Sequence, residues 1–136
     1  MAPTYKEYEK YREKNEQFFI DNAKKAGIKE LACGVQYKII QQGKGSKPGA
    51  RSTVKVHYRG ETIDGNVFDD SWSRKKPESF RVSDVITGWQ EALKEMPNGS
   101  RWMIYIPWEL GYGKRGSAPI KAYSTLIFEV ELLGVR

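Results

Sequence analysis

A chain of 136 residues fits one domain with a real but modest core. Hydrophobic residues at 39% and aromatics at 12% exclude a disordered chain and point to an ordered, β-rich domain. The formal charge of +6 does not make a nucleic-acid binder, because 23 Lys and Arg are dispersed among 17 acids.

The single cysteine, Cys33, excludes an internal disulfide and any thiolate-based metal site. No apolar run approaches the roughly 20 residues that a bilayer-spanning helix needs. Residues Met1–Tyr11 are charged and tyrosine-rich, unlike a signal peptide. The expectation is a soluble chain without metal or cofactor, either cytoplasmic or a mature or trimmed fragment.

The first element reads as a helix from Tyr5 to Ala26, about 33 Å long. Thr4 and Glu7 have capping-box spacing, and Gly27 stands where a helix stops. Tyr8, Tyr11, Phe18, Phe19, Ala23 and Ala26 recur at three- and four-residue intervals as one apolar stripe. Such a helix either lies on its own domain or serves as a dimerisation arm, and the pattern leaves both open. Residues 1–31 are therefore set apart as an N-terminal helical arm and 32–136 as the main domain. A seam of three heptads is marginal by itself, so the expected state is a monomer or a weak homodimer through this helix.

From Gly34 the period becomes two. Val35, Tyr37 and Ile39 alternate with Gln36 and Lys38 in a first strand. After the loop QQGKGSKPGA, Val54, Val56 and Tyr58 face one way and Lys55, His57 and Arg59 the other. Asp64-Gly65 marks a turn, and a short strand follows around Phe80 and Val82. Thr87 and Gln90 have capping-box spacing at the start of TGWQEALKEM, a helix expected to stop at Pro97-Asn98-Gly99. Ser100–Ile106 reads as a strand, Pro107–Tyr123 as a long loop and Ser124–Val135 as the last strand. In that strand Leu126, Phe128, Val130 and Leu132 share a face. The sum is an α+β domain, an antiparallel sheet wrapping a short central helix behind the long N-terminal one.

Conventional catalysis has little to work with. His57 is the only histidine and lies on the strand face opposite Tyr58, with no partner at metal spacing. No nucleophile elbow or phosphate loop is present, and the adjacent Asp69 and Asp70 diverge on an extended backbone. What remains is a set of aromatics, Tyr58, Phe68, Trp89, Tyr112 and Phe128, that periodicity alone would assign to a core. Asp69 directly after Phe68 is a charge that must be partnered if buried. Tyr112 sits between two glycines in a long loop, where its ring can lean over a cavity.

At these residues the chain resembles a known family. VHYRG, DGNVFDDSW, VITGWQEALKEM, IPWELGYG and STLIFEVELLGV are similar, in order and spacing, to landmarks of the FKBP peptidyl-prolyl isomerases. The resemblance runs from about Cys33 to Arg136. NEQFFIDNAKKAGIKELACGVQYKII upstream is similar to the bacterial macrophage-infectivity-potentiator branch, whose members dimerise through a longer N-terminal part and work in the cell envelope. The resemblance implies a half-barrel and a pocket floored by Trp89. Tyr58, Phe68, Val85, Ile86, Tyr112, Ile120 and Phe128 would wall it, Asp69 would stand at its rim, and Arg74 would orient Asp69. It implies turnover of X-Pro bonds in unfolded or flexible polypeptides, assisting folding, and binding of macrolides such as tacrolimus or rapamycin. The alternative it allows is a chaperone-like module that grips proline segments with little turnover.

Two departures from the family pattern stand out. Many relatives carry an aromatic near Glu78, where this chain has Pro77-Glu78-Ser79, so an open or acidic pocket edge is expected. The family's proline-containing tripeptide before the last strand is here replaced by Ile120-Lys121-Ala122-Tyr123. Because every implied pocket residue lies at or beyond Tyr58, the N-terminal helix is expected to have little influence on the pocket.

Overall fold

A computed structural model describes residues 2–136. The first helix, α1, spans Tyr5–Asn22, with Thr4 as its N-cap accepting from the Glu7 N–H at 3.3 Å. It ends four residues short of the expected Ala26, and the chain reverses at Gly27, whose φ of +81° suits glycine. The expected stripe is not what α1 buries. Its fully buried residues are Asn15 and Asn22, while Tyr8, Ala23 and Ala26 are exposed and Tyr11, Phe18 and Phe19 are half-buried. The helix lies against buried polar groups of the domain, the Thr125 N–H and the Gln36 side chain, and asparagine amides can satisfy those groups where rings cannot. Asn22 Nδ2 donates to Gln36 Oε1 at 2.9 Å, and Gln36 Nε2 donates to the Phe19 carbonyl at 3.0 Å.

A strand that periodicity did not reveal, β1 at Ile28–Glu30, follows the turn. It is too short to show a period. Next come β2 (Gln36–Gln41), β3 (Thr53–Glu61), β4 (Val67–Asp70) and β5 (Glu78–Arg81). The central helix α2 spans Thr87–Leu93, followed by β6 (Arg101–Ile106) and β7 (Leu126–Val135). All strand pairs are antiparallel, in the order β1-β2-β6-β7-β3-β4, with β5 also pairing with β3. The α+β half-barrel of the sequence reading stands.

The alternation in β3 and β7 decides what fills the barrel. Val54, Val56, Leu126, Val130 and Leu132 are fully buried, and they meet Leu93 and Met96 from α2 and the turn beyond it. His57 lies on the other face, as its position predicted. Its Nδ1 is 2.7 Å from Ser71 Oγ, and its ring stacks on Trp72 at 5.3 Å. Ser71 Oγ also accepts from the Tyr58 N–H at 2.8 Å, so the histidine braces the turn after β4 and faces away from the cleft.

The capping box expected at Thr87 and Gln90 does not form. Ile86 is the N-cap and carries no side-chain cap bond, and Gln90 Nε2 instead donates to the Val85 carbonyl at 2.8 Å. Gln90 serves the carbonyls of the single-turn 3-10 helix Val82–Asp84 and its exit.

Candidate active site

Several segments supply the cleft. β3 brings Tyr58 and β7 brings Phe128 by period-two alternation toward the concave side, and the edge strand β4 brings the neighbours Phe68 and Asp69. The N-terminal end of α2 presents Trp89. The long segment between β6 and β7 closes the far wall with Tyr112 and Ser117–Ile120. The resulting cleft has a volume of about 500 Å³, and Tyr58, Phe68, Asp69, Val85, Ile86, Trp89, Tyr112, Ile120 and Phe128 line it together.

The rings are arranged edge to face around Trp89. Tyr58, Phe128 and Phe80 meet it at 5.3, 5.2 and 5.8 Å with interplanar angles of 88, 85 and 84°. Phe68 meets Phe128 at 5.5 Å and 89°. Each such pair contributes about 0.5–1.5 kcal/mol beyond its buried area. The Trp89 indole N–H has no hydrogen-bond partner among the described residues. The floor of the cleft is thus oriented by its ring neighbours.

Phe80 corrects the expectation of an open or acidic edge. Its pairing opposite Val54 turns its ring onto Tyr58 and Trp89, and it lines the cleft. Glu78 points elsewhere, toward Arg74 at 3.6 Å. The signal was available in the sequence, since Phe80 sits two residues past Glu78, on the same face of an extended strand. Asp84, Ser117, Ala118 and Pro119 also line the cleft without any motif to announce them, because loop closure brings them there.

Asp69 is held on two sides. The Tyr58 hydroxyl donates to its Oδ2 at 2.5 Å, and Arg74 Nη1 donates to its Oδ1 at 2.5 Å. Arg74 therefore does not line the cleft; it clamps Asp69 from behind, with Nη2 3.4 Å from the Tyr58 hydroxyl. Asp70 turns the other way, accepting from the Trp72 and Ser73 N–H groups at 3.0 and 3.2 Å, which confirms that the two carboxylates diverge. Partial burial pushes the Asp69 carboxyl up, but the hydrogen bonds from Tyr58 and Arg74 outweigh it, and the net shift is downward. Burial first, and the bond to Asp69 second, push the Tyr58 phenol up to about 12. At neutral pH the pair is thus a carboxylate and a neutral phenol donor.

A carboxyl lowered in the folded state adds stability above its unfolded value of about 3.9 and loses it as pH falls through the folded value. Asp69→Ala is expected to leave the fold intact, reduce kcat/KM by roughly 10-fold and flatten the acid limb of the stability profile. Thermal melts from pH 2 to 7 beside peptide kinetics check this. Full activity in a folded variant would remove Asp69 from any role at the cleft.

The Ile86 N–H donates to no backbone or side-chain acceptor among the described residues and lies on the cleft wall. No group of three or more His, Cys, Asp or Glu able to hold a metal ion occurs among the described residues. No helix among them is long and apolar enough to cross a membrane.

A half-barrel closed by a short helix, with an aromatic cleft at the helix start, defines the class of protein as an FKBP fold. Two family profiles match, FKBP-type peptidyl-prolyl cis-trans isomerase over residues 44–133 and the domain amino terminal to it over residues 1–39. The chain belongs to the family of FKBP-type peptidyl-prolyl cis-trans isomerases. It is 49% identical over 120 residues to the FKBP-type 22 kDa peptidyl-prolyl cis-trans isomerase of Escherichia coli K12, covering 88% of this chain and 58% of that one. It is 46% identical over 132 residues to the outer membrane protein MIP of Legionella longbeachae, covering 96% of this chain and 57% of that one. The crystal structure of FkpA from Escherichia coli superposes with a TM-score of 0.92 at 41% identity, covering 96% of this chain and 62% of that one. The chain thus spans between half and two thirds of each of these relatives.

Proposed function

We propose that the protein is a peptidyl-prolyl cis-trans isomerase acting on X-Pro bonds of unfolded or flexible polypeptides. The observation that carries this is the ring-lined cleft of about 500 Å³, which joins apolar walls to a few aimed polar groups. Amide rotation is opposed by about 18–20 kcal/mol of partial double-bond character. A 10⁴-fold acceleration needs only about 5.4 kcal/mol of preference for the twisted amide, which shape and desolvation can supply without bond making.

In this reading Trp89, Phe68 and Phe128 hold the prolyl ring. Water is stripped from the amide carbonyl, which disfavours the charge-separated form that keeps the bond planar. The Ile86 N–H and the Tyr112 hydroxyl donate to substrate carbonyls flanking the twisted bond. Asp69, fixed by Tyr58 and Arg74, presents a field to the rotating carbonyl. Val85 and Ile120 complete the walls.

The test is acceleration of cis–trans exchange in a short Xaa-Pro peptide, followed by NMR or a protease-coupled assay. Tacrolimus or rapamycin is expected to compete with the peptide for the same cleft. A rate no higher than that of the uncatalysed peptide would leave only a proline-segment binder. Absence of competition would place the substrate elsewhere.

The proposal extends to location and assembly. The name of the Legionella relative supports assignment to the cell envelope, which fractionation of the producing cell checks. The helical arm of residues 1–31 leaves the protein monomeric or weakly dimeric in this reading, since the Asn15 and Asn22 side of α1 is already spent on its own domain. Sedimentation across concentrations checks that point, and a tight sub-micromolar dimer would overturn it.

A further inference from the structure

The wall of the cleft formed by Tyr112 and Ile120 is built on α1. Tyr123, three residues after Ile120, has a φ of +63°, a left-handed conformation that a residue with a β-carbon adopts at a cost. Its N–H donates to the Gly113 carbonyl at 3.0 Å, directly beside Tyr112. The Gly113 N–H in turn donates to the Trp108 carbonyl at 3.0 Å, so Trp108 and Tyr123 bracket the base of the loop, their rings edge to face at 5.0 Å and 89°.

Arg12 of α1 closes this base. Its guanidinium carbon lies 5.3 Å from the Trp108 ring and 5.3 Å from the Tyr123 ring. Glu16, one turn on, accepts from Arg12 Nε at 3.2 Å and from the Trp108 indole N–H at 3.1 Å. A second set of bonds seizes the strand-ward end of the loop. Buried Asn15 accepts from the Thr125 N–H at 2.7 Å, and its own amide donates to the Tyr11 carbonyl at 2.7 Å. Ser124 Oγ donates to the Lys121 carbonyl at 2.8 Å, so the Tyr11 hydroxyl, 3.2 Å away, is left to donate to Ser124.

We infer that α1 is a clasp that sets the position of the Tyr112–Ile120 wall, with Arg12 as a positioning residue for substrate binding. The inference rests on the isomerase reading above for its kinetic consequence, and on geometry alone for the clasp. Arg12 does not line the cleft and acts only through Trp108 and Tyr123. The clasp runs against the expectation that the helix has little influence on the pocket, which was drawn from the position of the pocket residues in the chain, and the Arg12 variants decide between the two.

The test uses the full chain and two substitutions. Arg12→Met keeps the apolar stem and removes the charge; Arg12→Lys keeps the charge. Arg12→Met is expected to raise KM for a short Xaa-Pro peptide roughly 3- to 10-fold with kcat within about twofold, and to speed hydrogen exchange at the Tyr123 amide. Arg12→Lys should recover most of the loss, since a cation over the rings is retained, whereas a space-filling role would be met better by methionine. Lys10→Ala, on the same helix and exposed, is the neutral control. Folded Arg12→Met with parental KM and parental exchange would overturn the clasp. Should that variant fail to fold, Tyr11→Phe removes a single hydroxyl from the clasp's second contact, at Ser124, with a smaller KM rise expected and an unchanged KM overturning the inference. A parent chain without turnover defeats the isomerase reading, while exchange at the Tyr123 amide still decides whether α1 holds the loop.

Discussion

Gly60→Ala is expected to damage the cleft although Gly60 itself carries no side chain to meet substrate. Gly60 lies in β3 between the rings of Phe128 and Phe68. A β-carbon there would stand 2.6 Å from Phe128 Cε1 and 2.7 Å from Phe68 Cζ, well inside contact distance. Neither ring can yield freely. Phe128 packs edge to face on both Phe68 and Trp89, so displacing it moves the floor of the cleft. Overpacking of this kind costs about 1–3 kcal/mol. Displacing aligned groups by about an ångström costs up to roughly 100-fold in rate, so kcat/KM should fall roughly 10- to 100-fold while the melting transition stays cooperative. Thermal melts and peptide kinetics on the same preparation check this. Parental kinetics in Gly60→Ala would mean that the Phe68 and Phe128 rings do not hold the substrate.

Trp89→Ala is expected to have the largest effect of any single substitution. The ring is 4% exposed and forms both the floor of the cleft and the top of the core. Removing a buried tryptophan costs about 3–5 kcal/mol, so the melting temperature should drop by roughly 10 °C or more. The loss of the floor should also remove about 10²-fold of the acceleration, half of the 5.4 kcal/mol on a logarithmic scale. Stability and function are separated by Trp89→Phe, which keeps an aromatic platform for Tyr58, Phe80 and Phe128. That variant should melt closer to the parent and retain measurable turnover. If Trp89→Ala were folded and fully active, the cleft would not be the site of isomerisation.

Residue periodicity and motif order were enough to place the barrel and most of the cleft. Alternation in Val54–Tyr58 and Leu126–Leu132 assigns each side chain to a face, because successive β-carbons on a strand point opposite ways. That rule placed Tyr58 and Phe128 inside and His57 outside, and the family motifs supplied Trp89, Asp69 and Tyr112. What it did not determine were the relations that depend on which loop meets which helix. Phe80 closes the edge assigned to Glu78 because pairing of β5 with β3 turns its ring onto Tyr58 and Trp89. Gln90 abandons its capping box because nearer carbonyls compete for its amide.

The N-terminal helix shows the limit most plainly. Its apolar stripe is conspicuous in the sequence, yet α1 buries Asn15 and Asn22 and sends Arg12 between Trp108 and Tyr123. Helical periodicity reports a preference for leaving water, which is short-ranged and indifferent to partner. The choice of partner here was made by the Thr125 N–H and the Gln36 side-chain amide, which need hydrogen bonds when buried, and long-range packing alone brings those groups to the helix.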